Sequence, residues 1–203
     1  MNLDFEEHIS CKVKKANSIM GLIRRSFCFL DCHLFKKLYI TFVRPHLEYG
    51  QAVWAPYLSK HINTIENVQK RATKLVEGLN NLPYSERLKQ LELPTLVYRR
   101  ARGDMIEIYK HFHVYDKDSL STSFKPRGRS SRTHDFQLHL LKAKDGIRGP
   151  QHNSFYFRIA KTWNNLPKHV VNSKDINHFK VSLDEHWKHA AIKFDHSRPQ
   201  SDS

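Results

Sequence analysis

Residues 5–27 read FEEHISCKVKKANSIMGLIRRSF, and within them Phe5, Ile9, Val13, Ala16, Met20, Ile23 and Phe27 recur at steps of four and three. That is the spacing of one face of an α-helix. Asp4 and Glu7 form a capping-box-like pair at its entrance, where free backbone amides need acceptors. Lys12, Lys14, Lys15, Arg24 and Arg25 avoid the apolar positions and fall on the flanks.

The pattern continues outward from this helix. Asp31 caps a second helix with Leu34, Phe35, Leu38, Tyr39 and Phe42 on one side, until Pro45 kinks or breaks it. Gly50 to Ser59 reads as a loop pinned by Trp54. Ser59 caps a third helix, which buries Ile62, Ile65, Val68, Ala72, Leu75 and Val76 and ends at Gly78. A short helix through Leu88 and Leu91 stops at Pro94. Thr95 then caps a helix to Phe112, with Val97, Ala101, Met105, Ile108 and Phe112 inward and Arg99, Arg102 and Lys110 outward.

Past residue 115 the composition shifts to Ser, Thr, Lys, Arg, Pro and Gly. Beyond this stretch Phe136, Leu138 and Leu140 alternate with polar residues, Gly146, Gly149 and Pro150 turn the chain, and Phe155, Phe157 and Ile159 alternate again, the pattern of a β-hairpin. Phe179, Leu183 and Trp187, spaced by four, mark a last helix. The expected fold is mainly α: a helical bundle over 1–115, a basic linker over 116–133, a small β-hairpin and C-terminal helix over 134–195, and a disordered tail over 196–203. Trp54, Trp163 and Trp187 sit beside apolar neighbours and are expected to anchor cores.

The chain has 203 residues, 39% of them hydrophobic, with 7 Gly and 8 Pro, which excludes collagen-like and wholly disordered classes. Its formal charge of +14 points to an anionic partner. Met1 to Glu7 is acidic where a secretion signal would be basic, and no apolar run approaches the ~20 residues of a membrane-spanning helix. Cys11, Cys28 and Cys32 make no disulfide framework. A soluble intracellular protein, nuclear or cytoplasmic and without membrane partners, is expected.

Enzymatic constellations are missing from the sequence. Cys28-x-x-x-Cys32-His33 has the residue types of a zinc site but no second half-site, so buried thiols are expected, with no metal and no cofactor. The 14 histidines accompany no nucleophile elbow, and the glycines form no phosphate loop. Basic charge stands out instead. Lys70, Arg71 and Lys74 fall on the third helix, Arg99, Arg100 and Arg102 begin a later one, and Lys125, Arg127, Arg129 and Arg132 stud the linker, all candidates to contact phosphates. Competing with that role are helical pairs, Glu66 with Lys70 and Arg100 with Asp104, each four residues apart.

A set of ordered strings also carries a family resemblance. These are Lys15-Ala16-Asn17, Gly21-Leu22-Ile23-Arg24-Arg25, Val43-Arg44-Pro45-His46-Leu47-Glu48-Tyr49-Gly50, Trp54-Ala55-Pro56, Val68-Gln69-Lys70-Arg71-Ala72-Thr73-Lys74-Leu75, Tyr84-Ser85-Glu86-Arg87-Leu88, Arg99-Arg100-Ala101-Arg102-Gly103-Asp104 and Trp163-Asn164-Asn165-Leu166-Pro167. In that order they resemble the C-terminal part of reverse transcriptases of non-LTR retrotransposons, the jockey-like, LINE-type elements. The resemblance implies a thumb and post-thumb region that packs against primer-template duplex. It implies DNA or RNA/DNA hybrid as partner, bound by its backbone, and a polymerase palm as a second partner. It also implies that Met1 opens inside a decayed element. The palm's paired metal-binding carboxylates have no counterpart, since the sequence contains no Asp-Asp dipeptide. A non-catalytic remnant is therefore expected, with a protein-interaction fragment that packs on a polymerase palm or an acidic partner, or a degenerate product without selected function, as alternatives.

Overall fold

The computed structural model describes residues 5–56, 58–114, 134, 136–138 and 155–197. The described residues are mainly helical and divide into two compact units, one of residues 5–100 with 191–197 and the other within 101–190. No helix among them is long and apolar enough to cross a membrane. The expected linker over 116–133 lies outside the described residues.

In the first unit, α1 (Glu6–Ser26) buries Ile9, Val13, Ala16, Met20 and Ile23, the stripe that its sequence spacing predicts. Phe5, in a left-handed conformation, occupies the N-cap position, while Asp4 of the expected capping box lies outside the described residues. Asp31 caps α2 (Cys32–Leu38) as expected, its carboxylate accepting from the Leu34 N–H at 2.8 Å. The interruption expected at Pro45 takes the form of a change in helix type rather than a loop. A five-residue π-helical turn, Tyr39–Val43, precedes α3 (Arg44–Glu48), so that the proline sits in a first turn, where its missing N–H costs nothing. The wider turn also resets the inward face: Tyr39, Val43 and Leu47 are buried, and Phe42, expected inside, is exposed.

Part of the expected Gly50–Ser59 loop is the short helix α4 (Gln51–Trp54), entered through Gly50 at φ +69°. Trp54 is buried and its Nε1 donates to the Tyr49 carbonyl. The next helix, α5 (Ser59–Ala72), starts from Leu58 without a side-chain cap, so the expected Ser59 cap is absent. A 3-10 turn, Thr73–Leu75, closes α5, and Gly78 follows at φ +76°. Two lateral contacts set the register of α1 against α5: Lys60 pairs with Glu6 at 2.9 Å, and Arg71 donates to Asn17 at 3.1 Å. Both pairs are separated by 54 residues, so the two helices run parallel. Two further helices complete the unit, α6 (Tyr84–Gln90) and the start of α7 (Leu96–His113). Thr95 caps α7 as its sequence suggests, accepting from the Tyr98 N–H at 3.1 Å while donating to the Ile192 carbonyl at 2.7 Å.

The second unit corrects the hairpin. Phe155, Phe157 and Ile159 belong to α8 (Phe155–Asn164), which buries Tyr156, Ile159, Ala160 and Trp163. That set has helical spacing and spans more residues than the alternating one, so burial favours the helix. Of the expected first strand, residues 136–138 are described, and side chains of α8 bond to their backbone. The Asn164 amide both accepts from the Leu138 N–H and donates to its carbonyl, each at 2.8 Å, and Trp163 Nε1 donates to the Phe136 carbonyl at 2.8 Å. Leu140, Gly146, Gly149 and Pro150 lie outside the described residues. After α9 (Lys168–Val171), α10 (Ile176–His186) buries Phe179 and Leu183 as expected, with Asp175 as its cap. The aromatic core stacks Tyr109 on Phe179 at 4.3 Å and places Trp163 5.8 Å from Phe112.

Candidate nucleic-acid interface

The sequence-predicted cations have three different fates. Lys70 and Arg71, in the last turn of α5, and Lys74, in the 3-10 turn after it, are exposed. The expected Glu66–Lys70 pair does not form, because Glu66 lies on the buried side of α5, at 1% exposure. Its carboxylate accepts from the Tyr84 hydroxyl at 2.6 Å and from the Leu96 N–H at 3.0 Å. Gln69 joins the same network, accepting from the Tyr39 hydroxyl at 2.7 Å and donating to Tyr84 at 3.0 Å and to the Pro94 carbonyl at 3.1 Å. Burial pushes the Glu66 carboxyl above its ordinary range, against the opposing pull of the Tyr84 hydrogen bond and the Arg100 charge. α5 thus has one face locked by buried hydrogen bonds and another that presents Lys70 to solvent.

The arginines of α7 are held by carboxylates or buried. Arg99 makes a two-pronged pair with Glu48, Arg100 is buried, and Arg102 grips Asp184 through two bonds of 2.6 and 2.7 Å. A further fork joins Arg158 to Asp104 at 2.8 and 3.0 Å. Such bidentate pairs orient both partners, which favours an architectural role for these guanidiniums. Arg127, Arg129 and Arg132, like Lys125, lie outside the described residues.

Two cations not counted among the sequence candidates join the exposed set. Arg24 and Arg25, in the last turn of α1, are exposed, and the loop that follows them is tied to the segment after the 3-10 turn, where the Leu30 carbonyl accepts from the Glu77 N–H at 3.1 Å. Their flanking positions were legible in the sequence, but the tie between the loop after them and the segment after Lys74 required the tertiary structure. The three cysteines are exposed rather than the buried thiols expected, since Cys11 lies off the apolar stripe of α1 and Cys28 in the loop after it. Among the described residues no group of three His, Cys, Asp or Glu side chains is placed to hold a metal ion.

No protein-family model and no solved structure matches this chain. The chain is similar to the uncharacterized protein B0403.1 of Caenorhabditis elegans, with 27% identity over 114 residues, 55% of this chain and 56% of that protein. The match therefore spans about half the length of that relative.

Proposed function

We propose that this chain is a non-catalytic, thumb-like piece of a retroelement reverse transcriptase that binds primer-template nucleic acid, duplex or RNA/DNA hybrid, without sequence preference. The observation that carries this reading is the exposure of Lys70, Arg71 and Lys74 at the end of α5, with Arg24 and Arg25 exposed at the end of α1, while Arg99 and Arg102 are held by carboxylates. Cations on helix flanks reach phosphates and leave base edges unread. The excess charge of +14 and the ordered strings of the resemblance support the same partner.

Binding of this kind releases counterions, each neutralised phosphate adding about 0.9 to the slope of log affinity against log salt. Titrating a labelled RNA/DNA hybrid at several salt concentrations is the test. Steeply salt-dependent binding is expected, and the combined change Lys70→Glu, Arg71→Glu and Lys74→Glu should lower the slope by roughly 2–3. Salt-insensitive binding, or a slope untouched by the triple change, would sink the reading.

A second reading has its own observation. Phe42, Tyr49 and Val53 are 53%, 76% and 77% exposed on neighbouring turns, an apolar surface of the kind that docks on a polymerase palm or another protein. Self-association in light scattering that Phe42→Ser with Val53→Ser abolishes would favour it, and a monomer at all concentrations would count against it.

A further inference from the structure

The loop between α1 and α2 carries two aromatic rings that the core does not use. Phe27, whose position continues the apolar spacing of α1, is 37% exposed, and Phe29 is 61% exposed. Leu30 between Phe29 and the Asp31 cap is buried, and its carbonyl accepts from the Glu77 N–H at 3.1 Å. That hydrogen bond ties the loop to the segment that leaves the 3-10 turn of Lys74. The loop follows directly on Arg24 and Arg25, so both rings are placed among exposed cations at one end of the α1–α5 pair. Of the nearby carboxylates, both exposed, Asp31 is engaged as the cap of α2 and Glu77 lies on the segment that bonds the Leu30 carbonyl.

Exposed phenyl rings among cations fit a strand whose bases are unpaired. Rings offer a stacking platform to any base, the cations hold the phosphates, and the bases of an intact duplex present no open face along its length. We infer that this end of the first unit binds single-stranded nucleic acid, Phe27 and Phe29 stacking on unpaired bases while Arg24, Arg25 and Lys74 hold the adjoining phosphates. The inference rests on the phosphate-binding role proposed above and adds the strand that leaves the duplex to it.

The test uses the full chain and three labelled RNA/DNA hybrids: one with a single-stranded thymidine overhang, one with an abasic overhang of equal length, and one blunt. Anisotropy should show the thymidine overhang bound about five-fold or more tighter than the abasic one, since the two share their phosphates and differ in stacking. The double change Phe27→Ala with Phe29→Ala should erase that preference and leave the salt slope unchanged, with circular dichroism confirming the fold. Phe42→Ala, which removes an exposed ring elsewhere, should keep the preference. Equal binding of thymidine and abasic overhangs would overturn the inference, as would a preference that survives the double change or is lost in Phe42→Ala. Those results would leave the backbone-binding role standing, whereas failure to bind any hybrid at low salt would remove both.

Discussion

The two units solve the problem of a buried polar group in opposite ways. Residues 5–100 place a carboxylate and an amide in the interior and surround them with partners: Glu66, Gln69, Tyr39 and Tyr84 form one connected set around α5. Residues 101–190 fill the interior with rings, Tyr109, Phe112, Trp163 and Phe179, and hold their carboxylates in arginine forks, the buried Asp104 with Arg158 and the half-exposed Asp184 with Arg102. A polar network specifies a register through directional bonds and is costly when half-satisfied, whereas an aromatic core depends on volume and is costly when emptied. The contrast also bears on function. Locking one side of α5 fixes the orientation of the side that carries Lys70 and Arg71 and of the 3-10 turn of Lys74 that follows it.

The largest expected effect is on the aromatic unit. Trp163→Ala removes a fully buried indole and its hydrogen bond to Phe136, and should destabilise that unit by about 3–5 kcal/mol. Hydrogen exchange resolved by segment should show the loss over the described parts of 101–190, and retained protection there would break the account of this core.

Next comes the polar network. Glu66→Ala strands the Tyr84 hydroxyl and the Leu96 N–H, at a cost of about 1–3 kcal/mol, read by urea denaturation. Glu66→Gln keeps a carbonyl acceptor and should recover most of that loss, and equal losses for the two changes would show that the hydrogen bonds are not what matters.

Acidity should then move the two units in opposite directions. Burial raises the Glu66 pKa, so its contribution is full below the ordinary carboxylate range and is lost as pH rises through the raised value. Burial lowers the pKa of His113 and of His186, the latter helped by His169, so their contributions are full above the ordinary imidazole range and are lost as pH falls through the lowered values. Acidification from neutral pH should weaken exchange protection in the histidine-bearing unit and strengthen it around α5. A shift of the same sign in both would refute this assignment.

The smallest effect concerns the forks. Arg102→Met should cost no more than about 1 kcal/mol in thermal denaturation, because Asp184 is half-exposed and its charge is screened. A larger loss would mean that the ion pair holds α7 and α10 together more firmly than its exposure suggests.

Apolar spacing made α1, α5 and α10 legible, because each buries a single stripe and the stripe is written in the order of residues. The caps at Asp31 and Thr95 were legible for the same local reason, a side chain meeting an amide three positions on. Pro45 marked where the regular α-helix is interrupted, but Phe42 misled, since it is Tyr39, Val43 and Leu47 that face inward around the π-helical turn, which leaves no spacing signature. The hairpin misled because residues 155–159 satisfy both periods, and the choice fell to Trp163 and Asn164, which occupy the core and the backbone of residues 136–138. Of the candidate cations, Lys70, Arg71 and Lys74 could be placed on a helix surface from their order alone. Which guanidiniums find carboxylates could not, since Glu48 and Asp184 lie 51 and 82 positions away from Arg99 and Arg102.

Local order along the chain therefore settles where helices begin, which face they bury and how much positive charge they carry, because these follow from contacts within a few residues. Packing settles which of those charges remain available and which rings stay outside, because a distant carboxylate or a neighbouring helix meets them only once the chain has closed on itself.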